Sequence, residues 1–138
     1  MREEILKRFF VGEVDADILA ADLDGSMVEG RDTIRHHIED FEASEEEFEI
    51  QPKHLVSICD AVLNGEIEAT YLRIIGFGIV GSDSFRYDTD TPGGGLVGET
   101  VLDWSAPEAN YPLTMENVRK FRERLITGRN PFAAEGAG

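Results

Sequence analysis

A stretch near the start of the chain recurs half-way along it, and this duplication constrains the fold more than any other feature. Residues 9–23 read FFVGEVDADILAADL, and Gly12, Glu13, Val14, Ala16 and Leu19 fall opposite Gly65, Glu66, Ile67, Ala69 and Leu72 at an offset of 53. Each copy has the order apolar helix, glycine stop, acidic cap, second helix. In the first, residues 3–11 place Ile5, Leu6, Phe9 and Phe10 on one helical face, and Gly12 stands at a C-terminal cap, where a left-handed backbone suits it. Asp15 then caps a helix whose buried stripe is Ile18, Leu19 and Leu23. In the second, Gln51-Pro52 opens a helix carrying Leu55, Ile58, Cys59, Val62 and Leu63, and Asn64-Gly65 ends it. The repeat predicts a further helix burying Tyr71, Leu72, Ile75 and Ile79. Gly76 and Gly78 each disfavour a helix by ~1 kcal/mol relative to Ala, so a short buried strand over residues 74–80 stays open. Glycines spaced in this way also let a neighbouring element pack closely.

The intervening segments read differently. Asp24-Gly25-Ser26 has turn chemistry, Asp32 caps a third helix with Ile34, Ile38 and Phe41 inward, and residues 83–95 form a polar, Gly-rich loop. Residues 96–104 alternate, with Leu96, Thr100, Leu102 and Trp104 on one face, as a strand or hairpin arm does. The C-terminal helix is the best marked: Thr114 is its cap, Leu113 and Val118 form a hydrophobic staple, and Val118, Phe121 and Leu125 face inward. Arg119, Lys120, Arg122 and Arg124 are placed on its exposed side, and Gly128 and Pro131 end it. The expected fold is α+β and mostly helical, with about five helices built on two helical hairpins and a small β-hairpin before the C-terminal helix. Residues 1–132 form a single globular domain, and residues 133–138 a frayed tail.

Charge limits the partners. The chain carries 13 basic and 28 acidic residues, a net −15; residues 1–110 hold 8 and 25 of them, hence −17, and residues 111–138 hold 5 and 3, hence +2. Such a field repels nucleic-acid phosphates and anionic lipid and attracts basic protein surface. The longest apolar run, residues 72–81, is broken by Arg73 and is far short of the ~20 residues that span a bilayer. The start, MREEILKRFF, lacks the apolar core and cleavage site of a signal peptide, and the single cysteine, Cys59, lies among apolar neighbours. A cytoplasmic protein without nucleic-acid or membrane partners is expected.

Asp22-Leu23-Asp24-Gly25-Ser26 resembles the DxDG[ST] loop of haloacid-dehalogenase-type phosphatases. That resemblance implies Asp22 as nucleophile, Asp24 as acid/base and Mg²⁺ between them. The family requires a buried strand before the loop, whereas the repeat puts a helix there, and no lysine lies between Ser82 and Asp90. A capping turn is the expectation, with a Mg²⁺-dependent phosphatase as the enzymatic alternative. His36 and His37 are adjacent, point to different sides of a helix and do not chelate as an i, i+4 pair does. His54, at the Pro52 helix start, reads the same way as a solvated side chain. Gly93-Gly94-Gly95 lacks the Lys-Ser/Thr of a phosphate-binding loop and reads as a hairpin tip. Neither a cofactor nor a metal is implied.

What remains is surface. Of residues 39–49 seven are carboxylates: Glu39, Asp40, Glu42, Glu45, Glu46, Glu47 and Glu49. With Asp83, Asp88, Asp90 and Tyr111 they form the candidate face for a basic partner, acids steering the encounter and aromatic side chains anchoring it. The segments LKRFFVGEVDADIL and SICDAVLNGEIEATYL, an acidic loop and a closing helix together resemble bacterial immunity proteins of the colicin type. The resemblance implies a small, acidic, mostly helical inhibitor that covers the basic active site of a toxin. A structural or regulatory interaction domain without such a partner is the alternative.

Overall fold

A computed structural model describes residues 2–29 and 48–132, without the side chains of residues 26–29. Among these, six α-helices dominate: α1 (Glu3–Phe10), α2 (Ala16–Glu29), α3 (Pro52–Leu63), α4 (Leu72–Val80), α5 (Pro92–Ser105) and α6 (Met115–Thr127). A 3₁₀ turn, Ala69–Tyr71, leads into α4, and two strands, β1 (Phe48–Glu49) and β2 (Phe85–Arg86), pair once. The helix expected from Asp32, with Ile34, Ile38 and Phe41, lies outside the described residues, as does the tail at 133–138.

The sequence repeat is a repeat of backbone geometry. Gly12 and Gly65 adopt φ of +82° and +80°. The amide of Gly12 bonds the carbonyl of Phe9 as that of Gly65 bonds Val62, and Glu13 bonds Arg8 as Glu66 bonds Ala61. These bonds satisfy carbonyls that the ends of α1 and α3 leave free. Further on, Ile18 bonds the carbonyl of Asp15 as Tyr71 bonds Glu68, so both second helices start in register. Residues 72–80 are helix, and Tyr71, Leu72, Ile75 and Ile79 are all buried.

Packing departs from the expected pair of hairpins. α1 packs on α2, but α4 packs chiefly on α5 and α3 chiefly on α6, so the arms of the second copy splay apart. Gly76 makes the α4–α5 contact close: a Cβ there would stand 2.8 Å from Cβ of Trp104 and from the carbonyl oxygen of Val101. The buried apolar side chains form one cluster, which includes Leu6, Leu19, Ile58, Ile75, Trp104 and Phe121.

Six expectations are corrected. Residues 92–105 are a helix, not a hairpin arm: Val97, Val101 and Trp104 recur at helical spacing and are buried, while Leu102 is exposed. Gly93-Gly94-Gly95 is its first turn, capped by Thr91, whose hydroxyl accepts from the Gly94 amide at 3.0 Å. Gly94 is required where the chain doubles back, since a Cβ would collide with the backbone of Asp88. The strands are parallel, pairing Phe48 with Phe85 and Glu49 with Arg86 from distant parts of the chain, not as a hairpin. Asp24-Gly25-Ser26 lies within α2, because Asp24 accepts the Tyr71 hydroxyl and Gly25 has no positive φ; Ile18 on the same helix is half-exposed rather than part of the buried stripe. Arg124, expected outside, is buried at 1% exposure. It bonds Asp103 at 2.8 Å, Thr100 at 3.0 Å and Glu99 at 3.2 Å. Val118, Phe121 and Leu125 face inward as expected, Thr114 caps the Asn117 amide, and Gly128 closes the helix at φ +76°.

Candidate interaction surface

The two glycine turns lie beside each other and define a shallow groove of about 420 Å³. The end of α1 and start of α2 contribute Val14, Asp15 and Asp17 to its wall; α3 and its turn contribute Asp60, Ala61 and Glu66. Positions equivalent in the repeat carry like charge, Glu13 with Glu66 and Asp15 with Glu68. These four and Asp17 are all exposed, and none has an ion-pair partner among the described residues. Asp60 alone on this wall is neutralised, by Arg122 of α6 at 2.5 Å.

On the other side of Asp60 a second groove, of about 580 Å³, runs between α3 and α6 past Leu63 and Ile126. There Asp60 and Glu123 balance Arg119 and Arg122, so it favours neither sign of partner. The excess negative field lies on the turn side.

The residues expected to form the acidic face are divided. Glu39, Asp40, Glu42, Glu45, Glu46 and Glu47 lie outside the described residues, and Glu49 is exposed on β1. Asp83, Asp88 and Asp90 are exposed between α4 and α5. The Asp88 carboxylate accepts the Asp90 amide at 2.9 Å just ahead of the N-terminus of α5, where negative charge is favourable. Tyr111 is half-buried, its ring stacked on Phe132 with centroids 3.9 Å apart. The acids of the two turns carried a signal in the sequence, being duplicated at the repeat offset, but read there as helix caps.

Groups with chemical potential have structural partners. Asp22 accepts from the backbone nitrogen and Nε of Arg2 at 2.6 and 3.2 Å, whereas Asp24 accepts the Tyr71 hydroxyl at 2.5 Å. Two residues apart on a helix, the two carboxylates sit on different faces and serve separate contacts. The bond to Asp24, with burial, pushes the Tyr71 hydroxyl up to about 12. Burial likewise pushes the Cys59 thiol up to about 12, far from a reactive thiolate. Nδ1 of His54 accepts the Gln51 amide at 2.9 Å, so this histidine caps its helix rather than facing solvent freely. His36 and His37 lie outside the described residues, and among those described no three His, Cys, Asp or Glu side chains are placed to hold a metal ion. Among the described residues no helix is long and apolar enough to cross a membrane. Comparison with family models, with curated proteins and with solved structures gives no match to this chain.

Proposed function

We propose that this chain is a non-enzymatic acidic protein that binds a basic protein partner and inhibits it by covering a positively charged surface. The observation that carries the proposal is the pair of glycine turns, which hold five exposed carboxylates, Glu13, Asp15, Asp17, Glu66 and Glu68, none of them in an ion pair among the described residues. These five acids are part of the −17 carried by residues 1–110. Complementary charge of this kind raises the association rate and excludes acidic competitors. A toxin neutralised by an immunity protein is the specific case suggested by the sequence resemblance, and the seven carboxylates of residues 39–49 are further candidates for partner contact on their charge alone.

The test is affinity capture on the tagged chain from the cells that carry this gene, at low salt and again at about 0.5 M salt, where the Debye length falls to roughly 4 Å. A partner rich in Lys and Arg, retained at low salt and lost at high salt, supports the proposal. Capture restricted to neutral or acidic proteins removes it. If the partner is a toxin, its activity declines on titration with the chain to a molar equivalent.

A further inference from the structure

α1 has eight residues, too few to persist as a helix in water on its own, so its contacts decide whether it stays docked. Ile5 and Leu6 bury into the core, and Phe10 closes an aromatic recess. Its ring stacks on Phe48 with centroids 5.7 Å apart, meets His54 at 5.2 Å and meets Phe85 edge-on at 6.2 Å. At the other end of α1, Glu3 is only 2% exposed. The hydroxyl of Ser82, in the connection from α4 to β2, donates to Glu3 Oε2 at 2.5 Å while accepting the amides of Ser84 at 2.9 Å and Phe85 at 3.3 Å. One buried carboxyl thus ties α1 to the loop that positions Phe85.

We propose that α1 is an acid-tightened strap: with Glu3 neutral it holds Phe10 over the recess of Phe48, His54 and Phe85, and ionisation of Glu3 loosens it. A carboxylate removed from water is costly unless fully compensated. Lys7 on α1 and the hydroxyls of Ser82 and Ser84 favour its charge, and Asp83 opposes it. Burial is the largest influence and pushes the Glu3 carboxyl above its ordinary value. Because the folded value is raised, the docking energy is fully present below the unfolded value and is lost as pH rises through the folded one. His54 acts in the opposite sense: burial, then Lys53, lowers its value, and its protonation removes the acceptor for the Gln51 amide. The net response of the recess therefore needs a comparison that isolates Glu3.

Amide hydrogen exchange in α1, corrected for intrinsic rate and referenced to α6 in the same sample, isolates it when wild type and Glu3→Gln are followed from about pH 4, below the ordinary carboxylate value, to about pH 8. The wild type is expected to lose α1 protection as pH rises, roughly tenfold for each unit by which Glu3 is raised, and Glu3→Gln to lack that loss. Equal losses in the two proteins, or none in either, overturn the proposal. Ser82→Ala provides the second arm should Glu3→Gln fail to fold. Removing a donor to the carboxylate moves the midpoint of α1 loosening to higher pH, and an unmoved midpoint overturns the proposal.

Discussion

The approach of α4 to α5 is best tested by making one substitution at two glycines. In Gly76→Ala the new Cβ stands 2.8 Å from Trp104 Cβ and from the Val101 carbonyl oxygen, and 2.9 Å from the Ser105 amide nitrogen. Ordinary contact begins near 3.4 Å, so the helices must separate by about 0.6 Å, and two of the three obstructing atoms are backbone and cannot rotate away. Overpacking of this kind costs about 1–3 kcal/mol, and the rigid neighbours place it at the upper end. Alanine returns ~1 kcal/mol through helix propensity, leaving about 2 kcal/mol of net destabilisation. Gly25, inside α2, meets no heavy atom within 4 Å among the described residues, so Gly25→Ala gains the propensity term alone. Urea denaturation is expected to separate the two variants by about 3 kcal/mol, with Gly76→Ala below wild type and Gly25→Ala above it; the thermal midpoints differ by roughly 10 °C. Shifts of the same sign and size would refute the close α4–α5 contact, because propensity alone would then account for both.

Other consequences follow from the buried polar groups. Arg124→Ala leaves Asp103 buried without its partner and is expected to cost about 3–5 kcal/mol, while Arg124→Ala combined with Asp103→Ala costs less than the sum, as a double-mutant cycle in urea will show. Cys59 is expected to resist a thiol-specific disulfide reagent at about pH 8 in the native protein and to react fully once unfolded, because burial pushes its thiol up to about 12; rapid native labelling would contradict its packing. Tyr71 should ionise only near pH 12 in an ultraviolet titration, and Asp24→Asn should bring its transition down.

The parts of the fold legible in sequence were those written in local chemistry. Glycine with positive φ and a cap three residues on gave both turns, and Thr114 with Leu113 and Val118 gave the C-terminal helix. The splayed packing was not legible, because which helix α4 chooses depends on the close contact that Gly76 opens against Val101 and Trp104 of α5. That partner helix was itself obscured: three glycines and a spurious alternation at Leu96, Thr100, Leu102 and Trp104 outweighed the Thr91-Pro92 start and the Val97, Val101, Trp104 spacing. The partners of Arg124 were equally illegible, since Asp103 and Thr100 reach it only from a helix. The parallel pairing of Phe48 with Phe85 joins residues too far apart for any local signal. At the candidate surface, residue identities were legible but their gathering was not: the repeat offset matched Glu13 to Glu66 and Asp15 to Glu68, yet only the fold sets the two turns side by side.

The central claim is that the acids of the two turns engage a basic partner, and charge reversal measures it most directly. With the captured partner in hand, calorimetric titration at about 0.15 M ionic strength compares wild type with Asp15→Lys/Asp17→Lys/Glu66→Lys, after circular dichroism establishes that both are folded. The three positions are exposed and without ion pairs among the described residues, so the reversal should cost no more than about 2 kcal/mol of stability, chiefly through charge lost at the start of α2. Affinity is expected to fall at least tenfold, mostly through a slower association rate, and to become less dependent on salt. Unchanged affinity in a folded triple variant would contradict the assignment of this surface.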